Sequence, residues 1–252
     1  MNRKLVFTAA LTCIAAGVCT AKLSAQATAT PPAENKELEQ MRARLADWPG
    51  LGHYRDENAT LPALGPNEKR VVFFGDSITD NWGHHIGTFF PGENYINRGI
   101  SGQTTPQMLI RFQQDVVHLH PAVVIVLAGT NDIAGNTGPS TLQMILDNLE
   151  SMAAIAKQNN IKLVIASILP AAAYPWRPGI QAAAEKIRQL NQSLKELCSR
   201  EDLLYLDYYS AMADEQGGML PGLSSDGLHP TAKGYEIMTP LAEAAIKKAL
   251  QE

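Results

Sequence analysis

Val71-Val72-Phe73-Phe74-Gly75-Asp76-Ser77 is the stretch whose reading decides the fold. A β-branched and aromatic run stopped by glycine reads as a buried strand. Similar short runs recur at Tyr95 to Asn97, Val123 to Leu127, Leu163 to Ser167 and Leu203 to Asp207. Between and after them lie helix-period segments at Pro106 to Leu119, Ser140 to Asn159, Ile180 to Arg200 and Thr231 to Leu250. Strands alternating with helices imply right-handed crossovers and a parallel sheet covered on both faces. The pattern therefore predicts a three-layer α/β/α sandwich with a central parallel five-stranded sheet.

Composition agrees with one such domain. The chain has 252 residues, 45% hydrophobic and 18% charged, with 3 Cys, which excludes a disulfide scaffold, a collagen-like chain and a disordered tail. The formal charge is −4, from 21 Lys and Arg against 25 Asp and Glu. Arg3, Lys4 and Lys22 stand in the first 27 residues with no acid; without them 18 cations face 25 anions, or −7. Such a surface repels phosphate backbones, and no basic run offsets it, so a nucleic-acid partner is not expected.

Arg3 and Lys4 precede an apolar run from Leu5 to Val18, and small residues follow up to Ala25-Gln26-Ala27, a form that signal peptidase accepts. Residues 1–27 are read as an export signal, because the apolar run is shorter than the roughly 20 residues a membrane span needs. Cys19 has Ala16 where a lipoprotein signal usually carries Leu. No other stretch is apolar enough to span, so no stable membrane insertion is expected after cleavage, and the location is periplasmic or secreted. Residues 28–69 read as an N-terminal helix, Glu34 to Ala46, with linkers, and 70–252 as the main domain. The mature chain keeps Cys198 alone, read as a buried apolar filler.

In open sheets of this kind ligands sit beyond the carboxyl ends of the strands. Reading those positions gives Gly75-Asp76-Ser77, Arg98-Gly99-Ile100-Ser101-Gly102 and Gly129-Thr130-Asn131-Asp132, with Asp226-Gly227-Leu228-His229-Pro230 before the last helix. A serine becomes a useful nucleophile when a base takes its proton, and Ser77 could be served by His229, with Asp226 three residues earlier to hold the imidazole. Acyl transfer also develops an oxyanion that needs fixed donors. The Ser77 N–H, a backbone approach at Gly102 and the Asn131 amide are placed to supply them. Taken singly, each has a plainer reading: a serine capping a helix, a structural Asp-His bond, a turn glycine, a loop-ordering amide. Four such segments at the mouths of one sheet favour chemistry.

Those four blocks resemble, in order and spacing, the SGNH hydrolases, also called GDSL lipases or esterases, from Arg70 to the C-terminus. The second block is similar to that of the platelet-activating-factor acetylhydrolase branch and of bacterial carbohydrate acetylesterases. The resemblance implies a flavodoxin-like SGNH fold and assigns Ser77 as nucleophile. It also implies oxyanion donors at Ser77, Gly102 and Asn131, and a base pair at Asp226 and His229. Ile78 stands where the family's name has Leu, an apolar exchange that leaves the chemistry alone. The expected activity is hydrolysis of a small-molecule or glycan ester, with no cofactor and no metal.

Asp76 is read as tying active-site loops together. Trp82, His84, His85, Trp176 and Arg177 are possible substrate contacts, whereas His53, His118 and His120 read as surface or packing residues. Competing readings are a lysophospholipase or thioesterase of the same fold, and a metal-dependent phosphoesterase using Asp76, Asn131, Asp132, Asp226 and His229. A glycan-binding module without turnover is the third.

Overall fold

The computed structural model describes residues 33–251, so the expected export signal lies outside the described residues. The chain divides into two compact units at Arg42. Most of helix α1 (Ala33–Ala46), where a helix was expected, belongs to the first, and the second begins at Ala43.

In the second unit five parallel strands form one sheet: β1 (Val71–Gly75), β2 (Tyr95–Gly99), β3 (Val123–Leu127), β4 (Lys162–Ala166) and β5 (Leu204–Leu206). Their order is β2-β1-β3-β4-β5. The chain leaves β1 toward one edge and returns to pair β3 on its other side. That reversal is the topological switch point, where a crevice opens beyond the strand ends.

The helices in chain order are α2 (Arg55–Thr60), α3 (Ser77–His84), α4 (Thr105–Asp115), α5 (Thr130–Ile133), α6 (Leu142–Gln158), α7 (Ala183–Glu201), α8 (Tyr209–Met212) and α9 (Ala232–Gln251). Val72, Phe74, Val124, Val126 and Ile165 pack with residues of α4, α6 and α7. Their neighbours Val71, Phe73, Val123, Ile125 and Val164 pack on the other face with α3 and α9. Two dry faces explain why these strands read as unbroken apolar runs. The expected sandwich is the one observed.

Besides the short α2, α5 and α8, which no helical pattern marks, three helices depart from expectation. α4 ends at Asp115, and Val117–Leu119 form a separate 3₁₀ turn, because consecutive β-branched Val116 and Val117 resist helix and His120 turns left-handed (φ 50°) before Pro121. α7 begins at Ala183, after Ala182 at φ 54°. α3 is not marked by the sequence, since it is only eight residues long and its backbone is already non-helical at Trp82 and Gly83. Trp82 in α3 is a core residue, 2% exposed. Its ring stacks on Tyr235 of α9 at 5.1 Å, and the Tyr235 hydroxyl donates to the Ile78 carbonyl at 2.8 Å. These contacts fix the helix that begins with Ser77, and truncating Trp82 to Ala should cost about 3–5 kcal/mol.

Candidate active site

Ser77 opens α3 directly beyond β1. The Asp76 carboxylate caps the helix by accepting from the Ile78 N–H at 2.9 Å. From 152 residues away, His229 brings Nε2 to 2.9 Å from Ser77 Oγ. Its Nδ1 lies 2.6 Å from Asp226 Oδ2. The other Asp226 oxygen accepts from the N–H groups of Leu228 and His229, at 2.9 and 2.8 Å, and from Ser224 Oγ at 3.0 Å. Partial burial pushes this carboxyl upward, but the bonds from His229 and the two backbone N–H groups outweigh it and hold the group well below the usual carboxylate range. An ionised carboxylate only accepts, so Nδ1 carries the proton and Nε2 is left to accept from the Ser77 hydroxyl. Ser77, His229 and Asp226 thus form one hydrogen-bonded chain.

The two glycines of the second block differ sharply. The Gly99 N–H already donates to Asn97 Oδ1 at 2.9 Å, and a Cβ there would lie 2.1 Å from the Asp80 backbone nitrogen. Gly99 is therefore glycine because α3 crosses close above it. Gly102 sits at φ 80° with only Asn136 Nδ2, at 4.0 Å, near where a Cβ would lie, and its N–H has no hydrogen-bond partner among the described residues. Of the two, Gly102 offers the available donor.

Asn131, at the start of α5, donates one amide proton to Asp76 Oδ2 at 3.2 Å and the other to the Gln103 carbonyl at 3.0 Å. Meeting an oxyanion would require releasing one of them. Sequence reasoning missed the residue that joins this group, Asn136. Its Nδ2 donates to the Gly102 carbonyl at 3.2 Å and to Asn131 Oδ1 at 2.8 Å, while its Oδ1 accepts from Trp176 Nε1 at 3.4 Å. The only sequence signal was a polar turn residue, Gly135-Asn136-Thr137-Gly138, just after the third block.

Trp176 is 42% exposed, and its ring lies 28° from parallel with the His229 imidazole at 6.4 Å, so it forms a wall of the site. Arg177 and His84 are exposed, the latter 3.5 Å from Asp80, and His53, His118 and His120 lie on the surface. Asp76 is 1% exposed, and burial pushes its carboxyl up to about 7 despite the bond from the Ile78 N–H. Asp132 accepts from the Thr105 N–H and, at 2.6 Å, from its hydroxyl, tying the third block to the start of α4. These carboxylates are engaged separately. Among the described residues no group of three or more His, Cys, Asp or Glu is gathered to hold a metal ion. Cys198 is buried, which pushes its thiol up to about 12. A cleft of about 500 Å³ beside Lys157, Lys162 and Leu203 lies at the amino ends of β4 and β5, away from this chemistry.

A parallel sandwich with a Ser-His-Asp chain beyond its switch point defines the class as an α/β hydrolase of the SGNH type. The chain belongs to the GDSL-like lipase/acylhydrolase family, which it matches over residues 73–237. The crystal structure of a GDSL-like lipase from Bacteroides thetaiotaomicron is 43% identical, covers 80% of this chain and 98% of its own, and superposes with a TM-score of 0.77. An acetylxylan esterase of Geobacillus stearothermophilus is 24% identical over 69% of this chain and 92% of its own length. An uncharacterised lipoprotein of Bacillus subtilis is 25% identical over 71% of this chain and 90% of its own. Among the described residues no helix is long and apolar enough to cross a membrane.

Proposed function

We propose that this chain is an exported serine esterase that hydrolyses small acyl esters, acetyl above all, on carbohydrate through an acyl-enzyme on Ser77. The observation that carries the reading is the bonded series from Ser77 Oγ to His229 Nε2 (2.9 Å) and from His229 Nδ1 to Asp226 (2.6 Å). His229 takes the Ser77 proton as Oγ attacks the ester carbon. The tetrahedral oxyanion is met by the N–H groups of Ser77 and Gly102 and by Asn131 Nδ2, once Asn131 lets go of an acceptor. Collapse expels the alcohol, which takes its proton from His229. Water, deprotonated by the same imidazole, then cleaves the acyl-serine and releases the acid.

Support for a carbohydrate ester comes from the exposed Trp176 ring beside His229, an apolar face on which a sugar ring could stack, and from the relative named as an acetylxylan esterase. Support for export comes from the N-terminal pattern and from the relative named as a lipoprotein.

The test is hydrolysis of p-nitrophenyl acetate, butyrate, octanoate and palmitate, and acetate release from acetylated xylan, by wild type and Ser77→Ala with and without a chelator. Acetate should be the preferred ester, and Ser77→Ala should lose about 10⁴-fold or more in kcat, with the chelator without effect. An active Ser77→Ala enzyme or a chelator-silenced wild type would sink the serine mechanism. Preference for long chains would replace the glycan ester with a lipid one, and glycan binding without acetate release would leave a binding module.

A further inference from the structure

The segment from Trp48 to Thr60 precedes the family match, yet its bonds converge on the loop that carries Gly102. The buried Tyr54 donates its hydroxyl to the Gly99 carbonyl, while its ring lies against the Arg98 guanidinium, 4.4 Å from the ring centre. At the other end of the loop, Gln103 Nε2 donates to the Pro49 carbonyl at 2.7 Å, and Gln103 Oε1 accepts from Arg111 Nε at 2.5 Å. Asn58 completes the attachment, accepting from Arg98 Nε at 2.8 Å and donating to Asp115 at 2.7 Å.

We propose that this N-terminal strap is a positioning element of the oxyanion site, clamping both ends of the Gly99–Gln103 loop so that the Gly102 N–H is held in place. The proposal rests on the assignment of Gly102 as an oxyanion donor. Between the clamped ends only Ile100, Ser101 and Gly102 remain, and Ser101 is itself bound to Asp80 through Oγ at 2.5 Å. Gly102 has no side chain of its own and a left-handed backbone, so its direction is set by what holds its neighbours. The Gln103 backbone carbonyl also accepts from Asn131, which links the same clamp to a second donor. None of these strap bonds involves Ser77, Asp226 or His229. Loosening the strap should therefore weaken stabilisation of the tetrahedral state while leaving nucleophile and base intact.

Tyr54→Phe keeps the ring against Arg98 and removes only the hydroxyl. On p-nitrophenyl acetate kcat should fall about tenfold with KM within about twofold, because a displaced donor loses part of what a deleted one loses. Affinity for an arylboronic acid, which forms a tetrahedral anion on Ser77, should weaken in proportion. Asn58→Ala cuts the strap from Arg98 and Asp115 without touching the loop, and should show the same pattern at about threefold. Arg55→Ala, on the exposed side of the segment, should match wild type. A fall in Tm with kcat and boronate affinity unchanged in both strap variants would reduce the strap to a stability element and overturn the proposal. Failure of the catalytic reading looks different, since wild type would then not bind the boronate and Ser77→Ala would stay active.

Discussion

In the proposed mechanism two arms meet at Ser77, one supplying the base and one the oxyanion donors, and they are built in opposite ways. The base arm is six residues long: Ser224, Asp226, Leu228 and His229 bond one another within one turn, and the Asp226 side chain stays 43% exposed. The oxyanion arm gathers Asp76, Gly102, Gln103, Asn131 and Asn136 from three strand ends, most of them buried, with the Trp48–Thr60 segment behind them. Exposed bonds within a turn contribute little to stability, whereas a buried polar network is expensive to leave half made. Damage to the base arm should therefore appear in turnover alone, and damage to the oxyanion arm in turnover and stability together.

The largest expected effect tests the first half of that contrast. Asp226→Asn removes the anion that fixes Nδ1–H and stabilises the imidazolium, so kcat should drop about 10³-fold. Thermal unfolding followed by circular dichroism should barely move. A loss below tenfold, or a Tm that collapses, would break the separation of the arms. Asn136→Asp tests the second half. A carboxylate has no proton for the Gly102 carbonyl or for Asn131 Oδ1, and sets an anion against two acceptors. Turnover of p-nitrophenyl acetate should fall about 30-fold, and Tm should drop by about 4 °C or more, since Asn131 Oδ1 loses its donor in a part-buried bond and faces an anion instead. An unchanged Tm would mean that the oxyanion arm is as local as the base arm.

The same contrast explains what was legible in the sequence. The central strands β1, β3 and β4 are legible because two dry faces leave no alternation to interpret, and Asp226 and His229 because their partnership spans three residues. Gly102 was singled out by family resemblance, and the physical reason for preferring it over Gly99 lies in the Asp80 backbone packed over Gly99, a contact between different strand ends. Asn136 and Tyr54 gave no usable signal, since a polar turn residue and a lone tyrosine gain their roles from partners 34 and 45 residues away. Trp82 misled for a related reason. Its closeness in sequence to Ser77 suggested the cleft, but α3 turns it inward onto Tyr235.

Ser224→Ala probes how redundant the base arm is. The Ser224 hydroxyl donates to Asp226 Oδ1 and accepts from the Gly227 N–H at 2.9 Å. Without it, Asp226 Oδ1 still accepts from Leu228 and His229, and Oδ2 still meets Nδ1. One exposed bond to a charged group among several is worth about 1 kcal/mol at most, so kcat should fall no more than about fivefold with KM and Tm unchanged. Steady-state kinetics at constant pH measures it directly. A loss of about a hundredfold would mean that the turn around Asp226 is held by the serine and not by the backbone N–H groups, and the base arm would then depend on one side chain as closely as the oxyanion arm depends on Asn136.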